Sequence, residues 1–492
     1  MNESVVVIGA GVAGLCCALA LSSPAREIVI LEKDPPPPAG DADHAFFDWD
    51  RRGVGQLRHS HAFLARLRGI IKQRHPALLD QLRAAGCREI GLLDVLPAAL
   101  RDAYQPQAED ADLAVLTSRR TTLELAIRRY VEALPNVTVL AGVIVRGLII
   151  QPGGNDRRRV CGVEGDLGGA PRSWLGDFVI DAAGRNSQTA EQLTLAGVAV
   201  AEETEDCGIL YYTRHYRLNA DAVEPPRSRG STTGDLSFIK YGLFPGDNRC
   251  FSITLATPEI ETALRQAIID PVMFDKICSL LPGIAAWTAP STAQPISKVF
   301  GMGDLKSRWR SFVSSDQLAV LGFFAVGDSL IRTNPLYGRG CSFAAVEAEI
   351  LRGVVDDLSD PAARARLYDS RVKAELTPYF DAMRNQDRMA IRRARNAQDA
   401  GYASPLRERL MTSFINDGAR IAMRSDIDLL RAALRDFHMI DPPGAWMRRP
   451  ANAAKIMRWW ARGRQRKADL YPAPLGPSRS EMLRLLGLPV AA

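Results

Sequence analysis

The sequence predicts an α/β chain in three parts: a domain built on a parallel sheet, an α+β domain of mostly antiparallel sheet interleaved with it, and a helical C-terminal region. Three observations predict it. The chain opens on an apolar run, a glycine-rich turn and an Ala/Leu-rich run, which is strand, tight turn and helix. Residues 207–256 are β-rich and broken by the turn Pro245–Asn248. Beyond residue 361 the apolar residues recur at a spacing near 3.6 in a highly charged stretch.

Composition bounds the answer before any motif does. At 492 residues the chain is long for one core. Its 47% hydrophobic and 24% charged residues are ordinary for a globular protein. A net charge of +6 is a mild excess, which argues against a nucleic-acid binder. The eight cysteines form no CxxC pair and read as reduced thiols of a cytoplasmic protein. His59 and His61 stand two apart, a spacing that suits no metal ligand set, so no metal is expected. The first strand begins almost at Met1, so no secretory leader is expected. No apolar run reaches the roughly 18 residues that span a bilayer.

The first element is the most informative. Val5–Ile8 is a buried-strand run, followed by Gly9, Gly11 and Gly14 and then a helical run. A second strand ends on Glu32, at about the 20-residue distance a dinucleotide fingerprint requires. Each position has a task in such a Rossmann-type unit. Gly9 makes the sharp turn, Gly11 admits a pyrophosphate to the backbone, and Gly14 lets helix and strand close up. The helix N-terminus favours the phosphate charge. Glu32 can accept from a ribose, with Lys33 beside it. The run Asp34–Gly40 is a short stiff loop.

Two further strands end in the same style. Phe178–Ile180 runs into Asp181 and Gly184, and a third runs into Gly327 and Asp328. Taken in order, "GAGVAG" with Glu32, "SRRTTLE" (118–124), "DAAGRNS" (181–187) and "GDSLIRTNPLYGRG" (327–340) resemble the FAD-dependent monooxygenases with the p-hydroxybenzoate hydroxylase type of fold. "RRGVGQLRHSH" (51–61) is similar to a segment of bacterial polyketide epoxidase-like members, with Gly55 and Leu57 where that subgroup carries Pro and Gly.

The resemblance implies FAD as cofactor and a set of residues to hold it. Asp328 would bind ribityl or ribose hydroxyls. Pro335, Gly338 and Gly340 would let the chain pass against the isoalloxazine ring. A helix from about Cys341 would aim its positive end at the ring's pyrimidine edge, which is negative when reduced. Arg120, four residues before Glu124, fits the arginine that starts the cofactor-facing helix. Arg51, Arg52 and Arg58 are candidates for the phosphates or ribose, since a guanidinium donates two bonds at once.

The implied domains are discontinuous. Residues 1–85, 112–190 and 300–360 are assigned to the FAD-binding domain, 86–111 and 191–299 to the substrate domain, and 361–492 to the helical region. The stretch 262–281 reads as one helix joining the substrate sheet. Tyr211, Tyr212, Tyr241 and Phe244 fit either a pocket wall or the sheet's own core. The segment 446–467 holds eight Lys or Arg, three Trp and no acid, and reads as a surface helix with its Trp residues inward rather than as a membrane contact.

The function expected from the resemblance is insertion of one oxygen atom from O2 into a small lipophilic substrate, by epoxidation or hydroxylation through a flavin C4a-hydroperoxide. The electrons would come from NAD(P)H or a separate flavin reductase, and the pocket would be mostly apolar. The alternative is an FAD-dependent reductase or dehydrogenase acting on carbon–carbon double bonds of an isoprenoid-like substrate. The WxWxIP segment of flavin-dependent tryptophan halogenases is absent, which counts against that chemistry.

Overall fold

A computed structural model describes residues 2–102, 104–154, 157–226, 231–313, 320–399 and 401–490. Its centre is a five-stranded parallel sheet in the order 323–325, 178–181, 3–8, 26–32, 137–141. These strands read as continuous apolar runs because both faces of the sheet are covered, one by helices such as Val12–Leu21 and the other by the antiparallel strands Val143–Pro152, Arg158–Leu167 and Ala170–Leu175. Val5, Val6, Val7, Ile28, Ile30, Val179 and Ile180 are buried there. Register aligns the strand ends. Ile8 lies beside Asp181, and Asp181 beside Ala325, so three strands end level. The turns that leave them, at Gly9, Gly184 and Gly327, therefore line up along the carboxyl edge, where open α/β sheets bind ligands.

The second large sheet is antiparallel, with strands Thr233–Asp235, Lys240–Pro245, Cys250–Pro258, Ile209–Leu218 and Ala293–Pro295 in that order, and Phe300–Met302 also paired to Ile209–Leu218. Its outer face carries Tyr212, Tyr216, Leu243, Ile253 and Leu255 in one apolar core. Two helices, Thr262–Ile268 and Pro271–Ser279, and the far C-terminal helix Arg479–Leu486 help to enclose it. The single helix expected at 262–281 is thus broken. Pro271 cannot continue the ladder, and Asp270 caps the second helix by accepting from Val272 N and Met273 N.

Three boundaries differ from the sequence reading. Strand Arg88–Ile90 joins Val115–Thr117 and Ala62–Phe63 in a separate small sheet. Leu92, Leu96 and Leu100 pack against Ile427, Leu430 and Leu434, so 86–111 leans on the C-terminal helices rather than joining the large antiparallel sheet. The chain also returns to the parallel sheet only at Phe323, because strand Lys306–Ser311 first pairs with Ala201–Asp206. Finally, the C-terminal region is no separate body. Its helix Pro361–Gln398 buries Tyr368, Val372, Leu376 and Phe380 in the main core, and Met482 and Leu483 enter the core of the large antiparallel sheet.

Candidate functional site

The glycine turn after the first strand is sterically forced. Gly9 has φ +98°, and a Cβ there would stand 2.7 Å from Ala182 O. A Cβ on Gly14 would stand 1.9 Å from Gly9 O. Gly11 is different, because a Cβ there would meet nothing within 4 Å. It caps helix Val12–Leu21 without a side-chain bond, so the first-turn N–H groups face open space. That is a cradle for a phosphate rather than for a side chain.

Glu32 lies at the end of the second strand and is buried. Its Oε2 accepts from Ala10 N at 2.8 Å and from Arg51 Nη2 at 3.1 Å, and Oε1 accepts from Asp34 N at 2.9 Å. Arg51 is buried among three acids, with Nη1 2.8 Å from Glu124 Oε1 and Nε 3.4 Å from Asp34 Oδ2. The other two arginines of that segment stand apart. Arg52 is 87% exposed and, among the described residues, pairs only with Asp50. Arg58 donates to the carbonyls of Phe46 and Trp49. Lys33 is exposed, with its stem over Gly53. Arg51 is therefore the arginine of the three that sits with Glu32, and Arg52, Arg58 and Lys33 point elsewhere.

Asp181 is a strut rather than a cofactor ligand. It is fully buried and accepts from Ser187 Oγ and Thr189 Oγ1 at 2.5 Å, Ala183 N at 3.0 Å and Ser329 Oγ at 3.1 Å. Ser329 also accepts from Gly184 N at 2.9 Å. Protein donors thus fill the carboxylate, and the bonds weld the second turn to the third. Gly184 has open space where a Cβ would be, and Gly327 packs on Ala13 of the first helix.

Asp328 is half-buried, and its carboxylate takes no hydrogen bond from the described residues. Burial pushes its pKa up, while the charges of Arg332, Arg120, Arg308 and Arg185 pull it down. Glu347, on helix Gly340–Asp357, accepts from Gly327 N at 2.5 Å and fastens that helix to the third turn. Its Oε1 has no partner among the described residues, and burial pushes its pKa up to about 8.

The loop from Thr333 to Gly340 is the narrow part of the site. Asn334 caps the short turn that starts at Pro335 by accepting from Leu336 N. Gly338 is left-handed at φ +63°, and its missing Cβ would lie 3.3 Å from Ala62 O. Helix Gly340–Asp357 begins one residue earlier than expected, with no side-chain cap. Its first turn thus offers bare N–H groups beside the loop. Arg120 is buried there, donating to Glu124 Oε2 at 3.2 Å, with Nη1 3.2 Å from His61 Nε2 and 4.0 Å from Cys341 Sγ.

The inner face of the antiparallel sheet looks toward this loop. Tyr211 donates to Asn334 Oδ1 at 2.7 Å, and its register neighbours Ala256 and Met302 share the face. Thr213, Thr254 and Ser252 come next along the face, with Ser60 bonded to both Thr254 and Ser252. His59 Nδ1 lies 3.0 Å from Thr213 Oγ1, and burial pushes the His59 pKa down to about 4, so the ring is neutral near pH 7. Phe244 and Phe300 supply aromatic surface on the same face. Tyr212 and Tyr241 lie on the other face in the sheet's own core, where the Tyr241 hydroxyl reaches Ser231 O. Of the pocket candidates, Tyr211 and Phe244 are therefore on the inward face and Tyr241 is not. The face is also more hydroxylated than the apolar wall expected.

Several residues here carried no sequence signal. Asp387 lies far along helix Pro361–Gln398, yet it accepts from Asn334 Nδ2 and from Tyr337 Oη, both at 2.8 Å. Glu347 and Ser329 are equally plain in the sequence. An acid seven residues after Gly340 on a helix is the one hint that could have found Glu347, since that spacing returns it to the same face.

The residues present fit FAD. Two uncapped helix N-termini, the open space at Gly11, Glu32 at the second strand end and the free carboxylate of Asp328 are what a dinucleotide with a ribityl chain requires. Comparison with known proteins agrees. Residues 4–188 match the FAD dependent oxidoreductase family. Protein Rv3254 of Mycobacterium tuberculosis is 28% identical over 368 residues, 71% of this chain and 72% of that one. p-Nitrophenol 4-monooxygenase PnpA from Pseudomonas putida superposes with a TM-score of 0.58 at 15% identity, covering 90% of this chain and 98% of that one. Flavin-dependent brominase Bmp2 gives a TM-score of 0.52 at 18% identity, covering 84% and 93%. Residues 4–188 thus match an FAD-dependent oxidoreductase domain, and the chain takes the p-hydroxybenzoate hydroxylase type of fold. No helix among the described residues is long and apolar enough to cross a membrane.

Proposed function

We propose that this FAD-dependent oxidoreductase is a monooxygenase that places one oxygen atom from O2 on a small lipophilic substrate, by epoxidation or hydroxylation, in the manner of the epoxidase-like members its sequence resembles. The Tyr211–Asn334 bond carries the reading. It fastens the inner face of the antiparallel sheet to the loop before Gly340, so a substrate lying on that face lies beside the loop that would run along the flavin.

Bound FAD, reduced by NAD(P)H or a partner reductase, supplies the electrons that activate O2. The protein's own tasks are to bind, orient and exclude water. The bare first turn at Gly340 would favour negative charge on the reduced ring. Asp328 and Glu32 would hold hydroxyls of the cofactor. Phe244, Phe300 and Met302 offer an apolar wall, while Thr213, Thr254 and Ser252 can orient a substrate oxygen. The eight free cysteines suit a reducing cytoplasm. The likeness to a brominase speaks for the fold alone.

The test is oxygen. Purified protein supplied with NADPH, alone or together with a flavin reductase, and a panel of alkenes and phenols should consume O2 and yield a product heavier by one oxygen atom, labelled from 18O2. Anaerobic turnover that adds hydrogen across a double bond would instead assign the chain to the reductases.

A further inference from the structure

Away from the cofactor site, the short helix Leu406–Ser413 has no buried residue. Leu406, Leu410 and Met411 are 68%, 48% and 57% exposed. At about 100° per residue these three fall in one sector with Arg407, while Glu408 and Thr412 face the other way. The helix is anchored at its far end, where Trp460 Nε1 donates to Ser413 Oγ at 3.1 Å and the Phe414 and Trp460 rings meet edge to face at 5.5 Å. The neighbouring helix Pro450–Trp460 adds Met457, 49% exposed, beside Arg458. The tryptophans are not the exposed apolar groups. Trp446 is buried in a small core with Ala422, Leu429 and Ile456, Trp459 is half-buried against that core, and Trp460 is half-buried against Phe414.

The charge around this face is one-sided. Residues 405–466 carry 13 Arg or Lys against 6 Asp or Glu, a local excess larger than the +6 of the whole chain. Four of those acids are already spent: Asp417 on Arg464, Asp426 on Lys455, Asp428 on Arg431, and Asp441 on Arg435 and Arg449. Arg407, Arg409, Arg420, Arg458, Arg462 and Arg466 are exposed and have no acidic partner among the described residues.

We propose that this face docks on an anionic lipid surface. Leu406, Leu410 and Met411 would enter the boundary between headgroups and acyl chains, and the unpaired arginines would meet lipid phosphates. A second copy of the chain is a poorer occupant, because a symmetric contact would press these arginines against their own kind. A bilayer surface is also where a lipophilic substrate concentrates, although the docking rests on the surface alone and not on the assigned reaction.

The test uses the full FAD-loaded chain and sedimentation with vesicles. Vesicles of phosphatidylcholine mixed with phosphatidylglycerol should carry the protein down, vesicles of phosphatidylcholine alone should carry about tenfold less, and raised salt should release it. Replacing Leu406, Leu410 and Met411 together by Glu should cut the bound fraction about tenfold, with the melting temperature and flavin absorbance unchanged. A second variant, Arg407→Glu with Arg458→Glu, should do the same if the triple variant folds poorly. Equal sedimentation with both vesicle types, or variants that bind like the parent, would overturn the proposal. So would a dimer in sedimentation velocity that the triple variant dissolves, because the face would then belong to a second copy.

Discussion

Tyr211 and Asn334 stand 123 residues apart, and the hydroxyl of the first donates to the amide oxygen of the second across 2.7 Å. The same Asn334 oxygen also accepts from Leu336 N in the loop, and the Asn334 Nδ2 donates to Asp387 Oδ1 on the long C-terminal helix. One side chain thus joins the antiparallel sheet, the loop before Gly340 and the helical region. Asp387 is buried and its pKa is pushed up by that burial, which the Tyr337 and Asn334 bonds partly offset.

Tyr211→Phe removes one donor and leaves the Asn334 amide oxygen with a single bond in a buried place. The expected cost is about 1–2 kcal/mol of stability, seen as a fall of a few degrees in melting temperature. FAD content should not change, because the lost bond lies on the substrate side of the loop. A variant that loses flavin but not stability would contradict this placement.

No described residue bonds the Asp328 carboxylate, and Arg52 lies at the surface. Asp328→Ala should therefore weaken FAD binding by about tenfold or more, the scale of a hydrogen bond to a charged group. Arg52→Ala should leave it unchanged. Titration of the FAD-free protein, followed by flavin fluorescence, measures both.

The sequence made the glycine turns of the candidate site legible and the support beneath them illegible, for a physical reason. Gly9, Gly11 and Gly14 are local: a turn, an opening and a close approach within one strand–helix unit. Residue type and spacing alone betray them. Asp181 looks the same in sequence as Asp328, since both come directly after a buried strand. Only the register that sets Ser187, Thr189 and Ser329 around Asp181 turns it into a strut. Asp387 and Glu347 are single acids on long helices, and their roles exist only after distant segments meet. The broken helix at Pro271 was readable from the Asp–Pro pair itself, and the competing apolar periodicity concealed it.

Glu347 makes stability depend on pH. Its pKa rises from 4.5 to about 8 on folding, through burial. An acid of that kind keeps its proton in the folded state while the unfolded chain has lost it. The contribution it makes is fully present below pH 4.5 and is lost as pH climbs toward 8, at up to about 1.4 kcal/mol per pH unit. Glu347→Gln keeps an oxygen for Gly327 N and removes the titration. The melting temperature of the parent should therefore fall relative to the variant across that window. Parallel curves would show that Glu347 is ionised throughout.

Gly11 and Gly14 separate folding from cofactor binding. A Cβ at position 14 would stand 1.9 Å from Gly9 O, which is backbone and cannot swing aside, whereas a Cβ at position 11 meets no protein atom within 4 Å. Gly14→Ala must push helix Val12–Leu21 off the first strand, a strain on the scale of overpacking, about 1–3 kcal/mol. It should lower the melting temperature of the FAD-free protein and weaken FAD as a consequence. Gly11→Ala should leave the FAD-free melting curve unchanged and still weaken FAD by about tenfold, because its methyl group enters only the space a pyrophosphate would use. Calorimetry without cofactor and fluorescence titration with it give the two readouts independently. If Gly11→Ala bound FAD as tightly as the parent, the open space before the first helix would not be where the phosphates lie.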